Sequence, residues 1–467
     1  MKMKQLWWYV LSVTVVLVGV AGGCGWSGYG LAREILRGEV NFSGGNYQFF
    51  NWCTNGLPIV GRLGQILDGK YIVLLQNNRE LRATGGFVGS YVRVIWDMGK
   101  LVDLGVQDIY VPDGKLVGHV EPPYPVQESF RQGWWKLRDA NWDPDFASAA
   151  ATVKWFLEQG GETGIKGIAA VNLDLIQRWL GVIGWVNVPE FGEVVNADNM
   201  YSLAQKYAET SWYEGSKQKQ EFLGAVGEEV VKLTRNVSIR KYIPLMKLFY
   251  EELSKKQMQM WFEDEEMRRI VDSLGWGGRI EKPGREIDLL YVVESNLGAN
   301  KSNCCVERRL THDVKRDEHV TREKLRIEWM NTSEYDSPVK PVFWGGNYLT
   351  YVRVVLPEEA KIQDIKVRGL ILRMSTPNDF LMPNSLRQEI SWDMYNIEKR
   401  SGHQIVGFWV RVEHKDSATA ELEYESVRAG EYKILVKRQP GIEKFGYKLT
   451  VDGKTKFDGF INRDILI

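Results

Sequence analysis

The chain lacks most signatures that assign an enzyme class. Its 467 residues include only 4 Cys and 5 His, and no two His stand at H-E-x-x-H spacing. There is no G-x-S-x-G nucleophile elbow, and no Walker or Rossmann glycine pattern. Lys and Arg total 60, as do Asp and Glu, so the basic excess of most nucleic-acid-binding proteins is missing. We therefore expect no nucleic-acid partner.

The four cysteines are too few to predict a disulfide framework. Cys304 and Cys305 are adjacent, so a strand would point them to opposite faces. We interpret the four as buried or idle thiols. A pairing of Cys53 with Cys304 or Cys305 stays open, and so does lipidation at Cys24.

The N-terminus has no charged residue from Leu6 to Trp26, after Lys2 and Lys4. About 20 apolar residues cross a bilayer, and preceding basic residues keep the N-terminus in the cytoplasm. This predicts a single membrane-spanning helix over residues 1–26, with the bulk of the chain outside. A cleaved signal peptide is the alternative, because residues 20–22 are small enough for a cleavage site.

Hydrophobic periodicity divides the remaining chain into four parts. Residues 27–66 form a lead-in, and residues 67–195 alternate strand and helix, which predicts an α/β domain with a central sheet. Residues 196–283 are mainly helical and continue that domain. In residues 284–467 the period changes to two, which predicts an all-β sandwich.

The segment QNNRELRATGG, residues 76–86, follows an apolar strand and combines amides, arginines and glycines. Guanidinium groups bind phosphate bidentately, and a glycine-rich turn lets backbone N–H groups approach an anion. This pattern makes Asn77, Asn78, Arg79 and Arg82 candidate phosphate ligands. The alternative is a solvated surface loop with weak ion pairs.

A second polar segment, LRDANWDPDF, precedes the helical pattern FASAAATVKWFLEQ. Carboxylates this close can hold Mg²⁺ together with substrate phosphates, so Asp139 and Asp143 are candidate metal ligands, with Arg138 as a clamp. Asp145 has a simpler explanation, because it is placed to cap the helix.

The chain resembles a bacterial family known as domain of unknown function 4012. The resemblance lies in YIVLLQNNRELRATGGFVGSY, LRDANWDPDF and IKGIAAVNLDLIQRWLGVIGWVNVP, and later in NLGANKSN, GGNYLTYVRVVLP and KRQPG. It implies an envelope protein in the bacterial cytoplasmic membrane, held by a single-pass anchor, with no known activity.

The order of elements over residues 71–233 is also similar to the LytR-CpsA-Psr family, which implies an α/β/α layer with added helices. Those enzymes transfer glycopolymers from polyprenyl-pyrophosphate carriers to the cell wall. Their arginine-rich helix start corresponds to residues 216–219 here, where Lys217 and Lys219 keep charge but lose the bidentate fork. Asn77 to Arg79 stand where that family has an Asp–Arg pair.

The resemblance to that family implies a pocket for a polyprenyl-pyrophosphate-linked glycopolymer or a similar phosphate ligand. If the protein is an enzyme, the resemblance implies a glycopolymer phosphotransferase, and Asp139 or Asp143 would hold Mg²⁺. The alternative is a non-catalytic envelope scaffold that binds cell-wall polysaccharide or protein, and the oligomeric state stays open. The predicted phosphate ligands are Asn77, Asn78, Arg79, Arg82, Arg93, Arg138, Lys217 and Lys219, with Asp139 and Asp143 for the metal.

Overall fold

A computed structural model describes residues 20, 22–54, 58–209, 217–282, 284, 286–317, 320–334, 345–368, 395–426 and 431–467. Most of the predicted anchor, residues 1–26, lies outside these ranges. Among the described residues, no helix is both long and apolar enough to cross a membrane. The chain has a mixed N-terminal α/β region and a C-terminal region of β-sheets.

The α/β region is built on a mixed five-stranded sheet of order β3-β2-β1-β4-β7. Its strands are β1 (Gly69–Asn77), β2 (Phe87–Asp97), β3 (Lys100–Asp108), β4 (Ile165–Asn172) and β7 (Met258–Phe262). Only β1 and β4 run parallel, and the other pairs are antiparallel. Ile72 and Leu74 alternate inward on β1, as period-two patterning requires, and a core of sheet and helix residues covers them.

Helices cover the sheet and extend the region. The first spans residues 22–37 and is called α1. The others are α2 (Gly45–Cys53), α3 (Pro58–Gly61), α4 (Leu63–Ile66), α5 (Tyr110–Asp113), α6 (Tyr124–Phe130), α7 (Phe146–Gln159), α8 (Leu173–Ile183), α9 (Met200–Glu209), α10 (Gln218–Arg235), α11 (Ile239–Ser254) and α12 (Glu265–Ser273). The predicted helix FASAAATVKWFLEQ is confirmed as α7. Asp145 caps it by accepting from the Ser148 N–H at 3.2 Å.

A small hairpin of β5 (Val186–Val188) and β6 (Glu193–Val195) separates α8 from α9. After α12 the chain forms two six-stranded sheets, of order β12-β15-β10-β9-β17-β18 and β13-β14-β11-β8-β16-β19. Their strands are β8 (Ile287–Asn296), β9 (Val306–Arg316), β10 (Thr321–Asn331), β11 (Tyr348–Pro357), β12 (Lys361–Arg368), β13 (Tyr395–Arg400), β14 (His403–Val412), β15 (Ser417–Ser426), β16 (Lys433–Lys437), β17 (Phe445–Val451), β18 (Lys454–Ile461) and β19 (Ile465–Leu466). Residues of both sheets share one hydrophobic core, as a sandwich requires.

The interpretation of the cysteines as idle thiols is wrong. Cys24 of α1 is disulfide-bonded to Cys53 of α2, and the neighbours Cys304 and Cys305 are bonded to each other. Cys304 and Cys305 lie in a short 3-10 turn before β9, so the strand geometry that would separate them does not apply. The first disulfide fastens the lead-in helices together.

Candidate functional site

The segment of residues 76–86 is an almost completely buried connection between β1 and β2, and we call it the β1–β2 loop. Asn78, Glu80 and Arg82 are each less than 10% exposed, so the solvated-loop alternative is wrong. The hydroxyl of Thr84 receives hydrogen bonds from Gln76 and from Asn141, at 2.6 and 3.0 Å. The side chains of Gln76, at the end of β1, and of Asn141 therefore help to hold this loop in one conformation.

The C-terminal β-sheet region binds directly to the β1–β2 loop. The backbone N–H of Asn296 donates to the Leu81 carbonyl at 2.9 Å, and Asn303 donates to the carbonyls of Arg79 and Asn78. Gln439 donates to the Arg82 carbonyl at 3.0 Å. The segments NLGANKSN and KRQPG, more than 200 residues along the chain, thus supply partners for the loop's backbone.

A pocket of about 840 Å³ opens at the C-terminal end of β1, beside this loop. Its walls come from β1, β2, β4, α5, α8, α9, the start of α10 and the loop that follows β8. Of the predicted phosphate ligands it contains Asn77, Arg138, Lys217 and Lys219. These residues come from well-separated parts of the sequence, and only the fold brings them together.

The other predicted ligands lie outside the pocket lining. Arg82 is buried between Glu80 at 3.0 Å and Asp139 at 3.5 Å, and it also donates to the Asn296 carbonyl. Arg93, further along β2, pairs with carboxylates at 2.6 and 3.2 Å. Each of these two guanidinium groups has a structural role in the fold.

The amide Asn78 and the arginine Arg79 flank the site without lining it. Asn78 donates to Asp174 in the first turn of α8 at 2.8 Å, which ties the loop to that helix. The guanidinium of Arg79 lies over the Tyr201 ring at 5.8 Å. Both residues help to position the pocket wall.

Among the described residues, five cationic side chains line the pocket, and sequence reasoning missed two of them. Lys136 lies two residues before Arg138, so the sequence could have predicted that it lies near the same site. Lys301 comes from NLGANKSN in the C-terminal region and reaches the pocket because that segment is bound to the β1–β2 loop. The family resemblance included this segment, but no local sequence pattern indicated that it would lie beside the pocket.

The cations share the pocket with three carboxylates, Glu80, Asp108 and Asp113. Burial lowers the pKa of Lys219; Asp108 and Glu80 oppose that shift, whereas Lys301 adds to it. The ammonium group of Lys219 donates to the Gly89 carbonyl at 2.9 Å. Lys219 therefore lies in a poorly hydrated site, where burial disfavours its charged form.

Arg138 is positioned by three contacts at the rim. It donates to Gln132 at 2.9 Å, lies over the Tyr110 ring at 5.4 Å and faces Asp139 at 3.6 Å. Burial raises the pKa of nearby Asp113, although the Leu137 N–H and Arg138 oppose the shift. A pre-positioned guanidinium is well suited to binding a phosphate or carboxylate group through two parallel hydrogen bonds.

Much of the remaining lining is apolar and comes from different elements, beside polar residues such as Gln205 and Gln220. Leu173 and Ile176 project from α8, Ala204 and Ala208 from α9, and Leu223 from α10. Aliphatic side chains such as these favour a hydrocarbon chain over water. The pocket thus combines a charged wall with an apolar wall.

The two predicted metal ligands, Asp139 and Asp143, face different arginines. Asp139 lies against Arg82 and Arg138, whereas Asp143 pairs with Arg400 of β13. Among the residues that the structure describes, no group of three or more His, Cys, Asp or Glu side chains is arranged to hold a metal. Each of the two carboxylates thus has its own arginine partners.

The profile of a family described as "Protein of unknown function (DUF4012)" matches residues 68–208, the segment that contains the β1–β2 loop and much of the pocket. This supports the resemblance to that family. No curated protein matches the chain. Similarity to the LytR-CpsA-Psr family is not shown.

One solved structure similar to this chain is a Legionella pneumophila protein described as a candidate nutrient-binding protein. The identity is 6% and the TM-score 0.20, with 31% of this chain and 50% of that chain covered. This chain thus spans about half of that protein's length, and at this TM-score the likeness shows neither a fold nor a function.

Proposed function

We propose that this protein is a membrane-anchored, extracytoplasmic envelope protein whose pocket binds an amphiphilic anion. The ligand has a phosphate or pyrophosphate head group and a hydrocarbon chain, as in a polyprenyl-pyrophosphate-linked glycopolymer. The observation that carries the proposal is the combination of five cations with an apolar wall in one 840 Å³ pocket. The disulfide between Cys24 and Cys53 supports the location, because such bonds persist mainly in oxidising compartments.

The charged wall would hold the head group. Arg138 can offer two parallel N–H donors to one phosphate, and the four lysines add donors from other directions. In a poorly hydrated site each charge-assisted hydrogen bond contributes about 1.5–3 kcal/mol. The apolar side chains of α8, α9 and α10 would cover the first part of the hydrocarbon chain.

Binding without phosphotransfer is the form of the proposal that the ion pairs favour. Arg82 is already neutralised by Glu80 and Asp139, and Asp143 is paired with Arg400. These groups would have to leave buried partners to act on a substrate, which costs several kcal/mol. A scaffold that captures a lipid-linked phosphate is therefore a better fit than a metal-dependent transferase.

The test is a titration of the detergent-solubilised chain with farnesyl pyrophosphate, inorganic pyrophosphate and farnesol. We expect farnesyl pyrophosphate to bind most tightly, because only it engages both walls. Arg138→Ala should weaken its binding about tenfold to hundredfold, which corresponds to the 1.5–3 kcal/mol of one charged contact. Arg93→Ala is the matched control, since Arg93 is also carboxylate-paired but lies outside the pocket.

A second variant separates the two walls. Ile176→Ser should weaken binding of farnesyl pyrophosphate and leave inorganic pyrophosphate unchanged. Equal affinities for all three probes, or equal effects of Arg138→Ala and Arg93→Ala, would overturn the proposal.

A further inference from the structure

The helix α11 carries an apolar stripe on its exposed face. Ile239, Ile243, Met246 and Tyr250 follow one another at spacings of four, three and four, so they fall within about 60° of one another around the helix. Ile243 is 66% and Tyr250 64% exposed, although the helix already buries Leu245 against the molecule. A solvated helix face is normally polar, so this second apolar face needs a partner.

The stripe continues onto the lead-in helices. Tyr242 of α11 contacts Tyr29 of α1 edge-on, with ring centroids 5.0 Å apart, and Trp26 lies 6.1 Å beyond Tyr29. The disulfide places α2 beside this point, where Phe49 and Trp52 stack at 5.4 Å. All the exposed members together are called the apolar band: Trp26, Phe49, Trp52, Ile239, Ile243, Met246 and Tyr250.

Chain continuity and charge identify the partner as a lipid bilayer. The helix α1 begins at residue 22, within the uncharged segment that runs from Leu6 to Trp26, so the band starts where a membrane anchor would leave the bilayer. Tryptophan and tyrosine are enriched at membrane–water interfaces. Arg240 and Lys247 stand seven residues apart along one edge of the stripe, where cations would meet lipid phosphates.

We propose that the apolar band lies in the interface of the bilayer, with α11 resting flat on the membrane. This inference rests on the membrane anchor of the proposed function and adds the orientation of the whole chain. The helix α11 packs against α8, and Lys241 donates to the Ile183 carbonyl at the end of α8 at 2.7 Å. Because α8 also supplies the apolar wall of the pocket, that wall would lie close to the membrane from which a lipid chain enters.

The experiment uses the full chain in lipid nanodiscs with an Ile243→Cys substitution labelled with bimane. The native cysteines of the described chain are disulfide-bonded, so the new thiol is the reactive one. Phe460→Cys is the matched control, because Phe460 is 68% exposed but lies on β18. With nitroxide lipids we expect quenching at position 243 that is several-fold stronger than at position 460.

Equal quenching at the two positions would overturn the inference. Protection of position 243 from aqueous iodide without lipid quenching would also overturn it, and would point to a second copy or another protein on the band. A chain that is not recovered with the nanodiscs would contradict the anchor and the inference together. It would leave the pocket proposal intact, because ligand binding is measured in detergent.

Discussion

Gly441 lies where the C-terminal region meets the β1–β2 loop, and Gly441→Ala tests whether that contact shapes the pocket. Its φ is +87°, and an added Cβ would overlap the Gly85 carbonyl and approach the Leu81 side chain. The Gly441 N–H also donates to Gln257 at 3.0 Å. An alanine here must therefore separate the segments that hold the loop.

The expected loss in free energy of unfolding follows by comparison with Gly453. Its φ is +77°, but an added Cβ there would meet nothing within 4 Å. Left-handed backbone costs an alanine about 1–2 kcal/mol at either position. Gly441→Ala adds the loss of one or two buried hydrogen bonds, at about 0.5–1.5 kcal/mol each, and the overlap itself. We expect it to lower the free energy of unfolding by about 2–5 kcal/mol, against about 1–2 kcal/mol for Gly453→Ala.

The assay is urea denaturation of both variants in detergent, with amide hydrogen exchange of residues 76–86 as the local measurement. Gly441→Ala should accelerate exchange in the β1–β2 loop and weaken binding of farnesyl pyrophosphate, whereas Gly453→Ala should change neither. If the two variants lose equal stability and keep equal loop protection, the C-terminal region does not hold the loop and the reasoning is refuted.

Three further predictions concern capping, the contact between the two regions and pH. Asp145→Ala should lower the free energy of unfolding more than Asp264→Ala. Both carboxylates cap a helix, which contributes about 1 kcal/mol, but only Asp145 also accepts a hydrogen bond from the Ile280 N–H. Equal losses of stability in thermal melts would contradict this. Arg353→Lys should lower the free energy of unfolding by about 1–3 kcal/mol, because the guanidinium stacks on the Trp142 ring at 4.1 Å and donates to the Trp142 carbonyl. If urea denaturation shows no loss of stability, that contact does not stabilise the fold. Burial lowers the pKa of Lys219, so this side chain loses its charge at a lower pH than usual. The difference in pyrophosphate affinity between the native chain and Lys219→Met should therefore become smaller as pH rises from 7 to 9.5. If titrations show the same difference at every pH, Lys219 does not contact the anion.

Much of the secondary structure followed from local pattern. IKGIAAVN is β4 and YLTYVRVVLP is β11, because alternating or continuous apolar residues have few other stable arrangements. The cap at Asp145 could also be predicted, because a helix cap depends on residues only three positions away in the sequence. The change of period after residue 283 indicated the β-sheets that follow.

Local pattern did not predict the disulfide pairs. It also did not predict which charged side chains are buried in ion pairs and which line the pocket. Arg82 and Arg138 stand in similar polar segments, yet Arg82 is buried in ion pairs and Arg138 lines the pocket. The difference depends on which chain segment is bound to each, and the partner of Arg82 at Asn296 is 214 residues away. No local pattern carries that information, because contact between distant segments depends on how whole sheets pack.

The sequence by itself determined the strand and helix pattern, the balanced charge and the polar character of residues 76–86. Tertiary structure alone decided that this segment is buried, and that Lys301 joins Lys219 beside it. The physical reason is that local propensity acts over a few residues, whereas burial and charge pairing arise only when distant surfaces meet. The β1–β2 loop shapes the pocket chiefly through its backbone, and the cations come from other segments of the chain.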